Sequence, residues 1–475
     1  MMVNKINFKF KLYLLGINLL LVLISLFIFS SPSLQAMLLF PSSSPPILPV
    51  SQQASIPEAT KITPQTIYEE NSLYFTYNLG VDPDTDLPYN YVFVKPDGEV
   101  EIGFYNTPTD IGYYLAYLLG VAKGDIKNSI LSEWEALNRL IRALEVLKSA
   151  PKKDGLLYWY DIASPEVKIS PTNSYVSAID NAFYSAALAL IIGAFVDDPS
   201  PQARKLVNLA EELLAEQKEG WKNLYDSERK LILGGYSDGG DEPVYYMDRV
   251  YNEGRLATLM AIILGEVPRD AWDNLGEFYL DYTLSNGQKM KILAPWESAF
   301  QAWMPLVFVP EMEWSEGFRT AHLRYAIVQK DWAERENMPA LYSECADPYS
   351  RDKYRYLTGI AIPGASESWA RRNPIRSDIG AVYAIGLAYA VNPELGLAFF
   401  DKLVSAKPGV KGPYGWWDSV GLAGDISRTY VGKDHFVLLS ALNAENNHRY
   451  FTRFLETVGK LEYIKSLYSE RKFRF

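Results

Sequence analysis

The stretch Ala186-Ala-Leu-Ala-Leu-Ile-Ile-Gly-Ala-Phe195 decides the fold of this chain. It is apolar on every side, and Leu256–Leu264 has the same character. A surface helix normally carries an apolar stripe and a polar face, whereas a helix that is apolar all round is buried on all sides. The two stretches therefore predict inner helices of a mostly helical, layered domain.

Amphipathic stretches between Gly- and Pro-rich segments predict further helices around these two. We expect about a dozen in all, over residues 109–122, 132–149, 180–196, 202–217, 249–264, 269–284, 297–308, 316–332, 379–390, 393–405, 434–444 and 448–467. Thr109 is the expected cap of the first helix. Ahead of it, short β-like runs are expected at Leu73–Tyr77, Tyr91–Lys95 and Glu99–Phe104, the last two joined by a Pro96-Asp97-Gly98 turn.

Four long connections follow alternate predicted helices, at 155–178, 220–247, 338–375 and 407–430. Loops of this length in a compact domain are usually functional. An α/α toroid brings every second loop to one face, so these connections would build one cleft.

The N-terminus carries a targeting pattern. Lys5, Lys9 and Lys11 precede the largely apolar run Leu12–Phe29, as in a secretory signal. Residues 1–36 are therefore a signal peptide, cleaved after Ala36, or a signal anchor, because the run is long enough to span a bilayer. Residues 37–66 are an expected Pro/Ser-rich linker, and 67–475 the folded domain. We expect an exported protein, periplasmic or in the cell envelope, either secreted or tethered to the membrane by residues 12–29.

Composition excludes several classes of partner and site. The net charge of −11 argues against nucleic acid. Three His and the single Cys345 argue against structural zinc, and we expect neither a metal nor a cofactor. The 33 Tyr and 11 Trp fit a cleft that binds an oligo- or polysaccharide, because sugar rings stack on aromatic faces.

Several motifs, in order along the chain, resemble glycoamylase-like domains related to bacterial β-1,2-glucanases and to cyclic β-1,2-glucan synthases. They are Thr107-Pro-Thr-Asp-Ile-Gly-Tyr-Tyr-Leu, Tyr158-Trp-Tyr-Asp161, Val176-Ser-Ala-Ile-Asp180-Asn181, Tyr251-Asn-Glu253-Gly-Arg-Leu-Ala-Thr, Ala294-Pro-Trp-Glu-Ser-Ala-Phe, Gly412-Pro-Tyr-Gly-Trp-Trp-Asp418 and Lys433-Asp434-His435. The resemblance covers residues 90–455. It implies an all-α, (α/α)6 toroid with a few short N-terminal β-strands, and hydrolysis or transfer of glucan linkages.

Two carboxylates are the candidate catalytic pair, since glycoside hydrolysis uses an acid and an opposed carboxylate. Glu253 lies among aromatic residues at the start of an apolar helix, where desolvation would keep it protonated. It also falls where the similar glucanases carry their acid. Asp418 follows Trp416-Trp417 in a Gly-rich loop and is the candidate base. The structural alternatives are that Glu253 completes a helix N-terminus or pairs with Arg249 or Arg255, and that Asp418 caps a helix.

The remaining candidates would bind substrate. Carboxylates expected to contact sugar hydroxyls, and aromatic rings expected to stack on sugars, are Asp161, Asp180, Glu297, Asp434, Trp159, Tyr251, Trp296, Trp416 and Trp417. Each also has a structural interpretation, as a helix cap for the aspartates or as core for the rings.

Three functions follow from these residues. The leading prediction is an exported glycoside hydrolase acting on a β-linked glucan or related bacterial polysaccharide. The alternative is a non-catalytic toroid that binds glycan in a polysaccharide assembly or export system. It is motivated by departures from the resembled motifs: Asp110 for Asn, Glu297 for Gly, and the reduced loop Asn337–Ser343. A polysaccharide lyase is the third, though such enzymes typically need His or Tyr bases and Arg clamps.

Overall fold

A computed structural model describes residues 61–163, 166–171, 174–237, 245–371 and 376–475. Residues 59–475 form one compact unit. The predicted signal segment 1–36, and the predicted linker up to residue 60, lie outside the described residues. The first helix, Pro64–Ser72, begins inside the segment expected to be linker, with Thr63 as its cap.

Helices account for most of the regular structure. In chain order, α1 to α17 are Pro64–Ser72, Pro108–Ala122, Glu133–Ser149, Ala178–Phe195, Pro201–Glu216, Lys218–Asn223, Gly254–Leu264, Asp270–Asp273, Ala299–Trp303, Glu311–Trp314, Glu316–Arg335, Glu367–Ala370, Tyr383–Val391, Pro393–Ala406, Gly432–Leu442, Ala444–Thr457 and Leu461–Glu470. Short 3-10 turns cover Leu73–Asn78, Met304–Val307 and Pro408–Val410.

The apolar helices pack on one another in sequence. Helix α13 packs on α15, α15 on α2, α2 on α4, and α4 on α7. The amphipathic helices α3, α5 and α14 lie against α2, α4 and α13 respectively. Every residue of α4 from Asn181 to Gly193 is buried, as its apolar sequence predicts. This alternation of inner and outer helices fits a helical toroid.

Helix α4 is also long and apolar enough to cross a membrane, and it is the one such helix among the described residues. Because 83% of it is buried inside the protein, it is a core helix.

The predicted start of α2 was two residues late. Thr107, not Thr109, is the cap: its hydroxyl accepts a hydrogen bond from the Asp110 N–H, and Asp110 accepts one from the Thr107 N–H. This reciprocal capping box satisfies two amide donors that would otherwise lack partners. Thr109 is thereby free to donate to Asp180 at 2.6 Å.

Short strands occur throughout the described residues, not only near the N-terminus as predicted. In chain order, β1 to β21 are Tyr91–Val94, Val100–Gly103, Tyr105–Asn106, Lys152–Lys153, Leu156–Leu157, Tyr160–Asp161, Lys168–Ile169, Tyr175–Ser177, Tyr225–Asp226, Leu231–Leu233, Gly235–Ser237, Tyr246–Met247, Tyr279–Thr283, Lys289–Leu293, Cys345–Ala346, Tyr356–Leu357, Ile379–Ala381, Lys411–Gly412, Gly415–Trp416, Ser419–Gly421 and Thr429–Val431.

These strands order the long connections. The expected hairpin β1–β2 forms around the Asp97-Gly98 turn, and β21 pairs with the other edge of β1. Pairing of β17 with β20, and of β15 with β16, ties the later loops together. The loops therefore have defined positions, which a cleft of catalytic residues requires.

Several predicted elements differ in the structure; Ile379–Ala381, for example, is strand β17 and not the start of the predicted helix 379–390. Leu73–Tyr77 continues α1 as a 3-10 turn, because Tyr74 and Phe75 turn into the core. Residues 279–293 form the hairpin β13–β14 around Gly287, so the helix predicted to 284 ends at Asp273. The helix predicted over 448–467 is two helices, because Gly459 takes a positive φ of 67° and ends the first.

Candidate active site

Glu253 immediately precedes α7 and lies in a buried, polar region. Glu253 is the N-cap residue of α7, but its side chain makes no capping hydrogen bond. Arg255 pairs with Glu311, and Arg249 with Glu367 and Asp248, so neither arginine forms an ion pair with Glu253. Its Oε2 is buried without a hydrogen-bond partner among the described residues. The carboxyl group therefore has no structural role that these contacts reveal.

Burial, with a smaller contribution from the nearby Glu344 carboxylate, raises the pKa of Glu253 to about 8. A carboxyl with this pKa is mostly protonated at neutral pH and can donate a proton. Glu253 retains 8% of its surface exposed. These are the properties predicted for a general acid.

Glu344 was not among the predicted site residues. It lies in the connection after α11, next to β15, and burial raises its pKa against the opposing effect of Lys433. The Lys433 Nζ lies 3.5 Å from Glu344 Oε1 and 3.6 Å from Asp434 Oδ1. The only sequence signal for Glu344 was its place in the long connection 338–375.

Asp418 and Asp434 form a buried pair of carboxyls. The Ala346 N–H donates to Asp418 Oδ2 at 2.6 Å, while Asp434 Oδ2 has no partner among the described residues. Burial raises the pKa of Asp418 to about 6 and raises that of Asp434 well above its usual range; Lys433 opposes both shifts. Asp418 therefore caps no helix, and Asp434 has the unengaged oxygen.

Asp180 lies in the first turn of α4 and is held by two donors. The Thr109 hydroxyl donates at 2.6 Å and the Trp159 Nε1 at 2.8 Å. Its charge acts on both Glu344 and Lys433, so Asp180 and Trp159 border the same cluster. Asp161, in β6, accepts from the Ala163 N–H and is paired across the strand with Tyr105.

Glu297 and Trp296 border the cluster from the segment before α9. Glu297 Oε2 accepts from the Gly359 N–H at 2.9 Å. Burial raises the pKa of Glu297, and the Glu344 charge contributes. The backbone N–H of Trp296 donates to the side-chain oxygen of Asn252, the residue before Glu253. Trp296 and Glu297 therefore link the turn that carries Glu253 to the 338–375 connection.

Three predicted stacking residues are buried by the protein itself. Trp416 donates through Nε1 to Glu70 and packs edge-on against Phe400. Trp417 stacks on Tyr430 with ring centroids 4.4 Å apart. The cavity beside Trp417 and Asp418 holds about 10 Å³, room for one water and none for a sugar ring. In this structure both indoles pack against the protein, and the stacking role predicted for them stays a prediction.

Tyr251 is the third predicted stacking residue that the protein itself buries. Its hydroxyl lies 3.2 Å from His322 Nδ1, and its ring packs against Tyr325 in the core. These contacts place Tyr251 in the core, and its predicted contact with sugar stays a prediction.

Asp110 is a further buried carboxyl that sequence reasoning noted only as a departure from the resembled motif. Asn90 and Thr107 bond one of its oxygens, and Oδ1 has no partner among the described residues. Burial raises its pKa to about 6, opposed by those bonds and by Lys433. In the part of the chain that the structure describes, no group of three or more His, Cys, Asp or Glu could hold a metal ion.

The fold is that of the glycoamylase-like domains. Among solved structures, the chain is similar to the endo-β-1,2-glucanase from Talaromyces funiculosus in complex with sophorose, with a TM-score of 0.75 and 14% identity over 86% of this chain and 90% of that one. It is also similar to the endo-β-1,2-glucanase from Chitinophaga pinensis in complex with sophorotriose and glucose, with a TM-score of 0.65 and 14% identity over 84% and 98%.

A third similar structure is the β-1,2-glucanase from Parabacteroides distasonis, with a TM-score of 0.66 and 10% identity over 86% of this chain and 60% of that one. No protein-family model matches the sequence, and no curated protein matches it. At these identities the similarity shows the fold, and it confirms the resemblance drawn from the motifs.

Proposed function

We propose that this protein is a glycoside hydrolase that cleaves a β-linked glucan, with β-1,2-glucan as the first substrate to test. The observation that carries the proposal is Glu253: a buried carboxyl, protonated near pH 7, beside further carboxyls, on a fold shared with endo-β-1,2-glucanases. Glu253 would protonate the leaving glycosidic oxygen.

The Asp418–Asp434 pair would supply the base. Two carboxyls this close do not both ionise readily, so the pair shares a proton and carries one negative charge near neutral pH. Asp418 Oδ2 accepts from the Ala346 N–H, whereas Asp434 Oδ2 is buried and has no partner among the described residues. We therefore assign Asp434, when it carries the negative charge of the pair, to activate water and Asp418 to orient it, which modifies the sequence-based choice of Asp418 as base.

The finer architecture and the location are part of the same proposal. The order in which the apolar helices pack supports an (α/α)6 toroid with Ala299–Trp303 and the following turn completing the inner ring. The lysines ahead of Leu12–Phe29 support export. Fractionation of cells that produce the protein, with a cytoplasmic marker, tests the location: recovery with the marker would contradict export.

The activity test is release of reducing ends from a panel of purified β-glucans, β-1,2-glucan included. We expect Glu253→Gln, which keeps the size of the side chain but cannot donate its proton, to lower kcat by about 10³-fold. The matched control is Glu99→Gln, at an exposed ion pair with Lys95, and it should cleave like the parent. Equal rates for Glu253→Gln and the parent would contradict the acid assignment.

A non-catalytic glycan-binding protein is the second candidate, favoured by the departures of Asp110 and Glu297 from the resembled motifs. Saccharide binding by calorimetry, with no reducing ends from any glucan in the panel, would establish it.

The lyase receives no support. His322 is bonded to Glu311, His435 to the Asn71 carbonyl and His448 to the Leu306 carbonyl, so each histidine has a structural partner.

A further inference from the structure

Lys433 places a buried positive charge inside the carboxyl cluster. It lies in the first turn of α15, and its side chain is only 14% exposed. Its Nζ donates to the Tyr356 hydroxyl at 2.8 Å and lies 3.5 Å from Glu344 and 3.6 Å from Asp434. Among the described residues, no other Lys or Arg makes an ion pair with either carboxylate.

Aromatic rings cover the ammonium group. The Phe300 ring centroid lies 4.3 Å from Nζ and that of Tyr356 4.7 Å. A desolvated ammonium group is costly unless several partners compensate it, and cation–π contacts strengthen when water is excluded. The two rings and the neighbouring carboxyls therefore compensate the buried ammonium group.

Several elements packed around Lys433 present an acidic or phenolic group to it. Asp110 acts from α2, Asp180 from α4, Glu344 from the connection after α11, and Asp434 from α15 itself. Tyr356 acts from β16, and Asp418 from the segment after β19. Burial opposes the charge on Lys433, but these carboxylates outweigh it and raise the pKa of Lys433 above its ordinary value.

We infer that Lys433 is a positioning residue that biases where protons reside within the site: its ammonium group, placed between Glu344 and Asp434, favours the charged forms of both carboxyls against the effect of burial, and a charged Glu344 adds to the burial that favours protonated Glu253. The inference rests on the proposed hydrolase function for its consequence in catalysis. Its electrostatic part concerns the side chains alone and can be measured without substrate.

Removal of the Lys433 charge should shift the pKa values of the neighbouring carboxyls in one direction. Without Lys433 the pKa values of Asp434 and Glu344 rise, because an opposite charge at this distance normally lowers a carboxyl pKa by about 1–3. A smaller fraction of Asp434 would then be in its base form at neutral pH. The acidic limb of the pH dependence of kcat/KM would move to higher pH by about one pH unit or more.

The test compares Lys433→Met with Lys433→Arg, which keeps the charge, and with Lys95→Met as a control at an exposed ion pair. Carboxyl carbons of Asp and Glu are labelled with ¹³C and titrated by NMR, and kcat/KM on β-1,2-glucan is measured over the same pH range. We expect the Asp434 and Glu344 midpoints and the acidic limb to rise in Lys433→Met. Lys433→Arg and Lys95→Met should stay close to the parent.

The outcomes separate the two proposals. Unchanged carboxyl midpoints in Lys433→Met would overturn the inference, whether or not the parent cleaves glucan. Shifted midpoints in a parent that releases no reducing ends from any glucan would support the inference about Lys433 and refute the hydrolase. Should Lys433→Met fail to fold, the parent is followed through the ζ-¹⁵N resonance of Lys433. That group should remain an ammonium at a pH where Lys95 has lost its proton, and earlier deprotonation would overturn the inference.

Discussion

Arg255 Nη2 lies 2.7 Å from Glu311 Oε2, and both side chains are completely buried. Arg255 Nη1 also donates to the Asn252 carbonyl at 3.0 Å, one residue before Glu253. The ion pair thus holds the turn that carries the proposed acid. His322 and Tyr468 donate to the same Glu311 carboxylate, so α11 and α17 are joined to this turn.

Breaking this pair should destabilise the protein strongly. Glu311→Gln leaves Arg255 buried without a counter-ion, which typically costs about 3–5 kcal/mol. Urea unfolding at pH 7 measures the loss, and Glu316→Gln, at an exposed position, is the control with an expected change within about 0.5 kcal/mol. A loss as small as the control's would show that the pair does not hold the fold.

The same pair predicts acid sensitivity. Burial works against the Glu311 charge, but Arg255 and His322 hold the pKa of Glu311 down at about 2. A carboxylate whose pKa is lowered on folding stabilises the folded protein at pH values above its pKa in the unfolded chain. This contribution to stability is lost as the pH falls towards 2. The free energy of unfolding of the parent should therefore fall more steeply below pH 4.5 than that of Glu311→Gln. If the free energies of unfolding of the parent and of Glu311→Gln fall in parallel below pH 4.5, the predicted acid sensitivity is wrong.

Glu253→Gln should stabilise the protein in alkaline solution while abolishing activity. The pKa of Glu253 is raised to about 8 in the folded protein. The stability that this carboxyl contributes is therefore fully present below its pKa in the unfolded chain and is lost as the pH rises through 8. A glutamine side chain at position 253 does not ionise, so the variant does not lose this stability at high pH. We expect a gain on the order of 2 kcal/mol at pH 9 and little change at pH 4, measured by urea unfolding. A variant less stable than the parent at pH 9 would show that the carboxyl is structural.

The pH dependence of kcat/KM should be bell-shaped, with an acidic limb near pH 6 from the Asp418–Asp434 pair and a basic limb near pH 8 from Glu253. Glu344→Gln removes a negative charge that raises the pKa of Glu253, so the basic limb should move to lower pH. Steady-state kinetics from pH 4 to 10 check both. A basic limb unmoved in Glu344→Gln would exclude that electrostatic contact.

Asparagine variants distinguish the two members of the base pair. Asp434→Asn removes the unengaged oxygen and should lower kcat by about 10³-fold. Asp418→Asn should lower kcat less, since its oxygen already accepts from Ala346. A larger loss in Asp418→Asn would restore the sequence-based choice of Asp418 as base. Thermal unfolding of both variants shows whether the fold is kept.

Local sequence determined the secondary structure wherever one pattern dominated. The apolar run Ala186–Phe195 predicted a buried inner helix, and α4 is one. The Pro96-Asp97-Gly98 turn predicted the β1–β2 hairpin. These outcomes depend on neighbours within a turn or two. The hairpin at 279–293 was missed because its alternation lies just after a helical stretch that the prediction extended.

The tertiary structure alone decided which carboxyls meet and in which charge state. Glu253, Glu344, Asp418 and Asp434 come from segments up to 181 residues apart, and their pKa values depend on burial and on one shared lysine. The sequence by itself determined the helical class, the acid candidate Glu253 and the loops that carry the cluster, because these depend on local pattern. It could not determine that Trp416 and Trp417 are buried or that Lys433 lies between Glu344 and Asp434, because desolvation and Coulomb energies depend on through-space distances that only the folded chain defines.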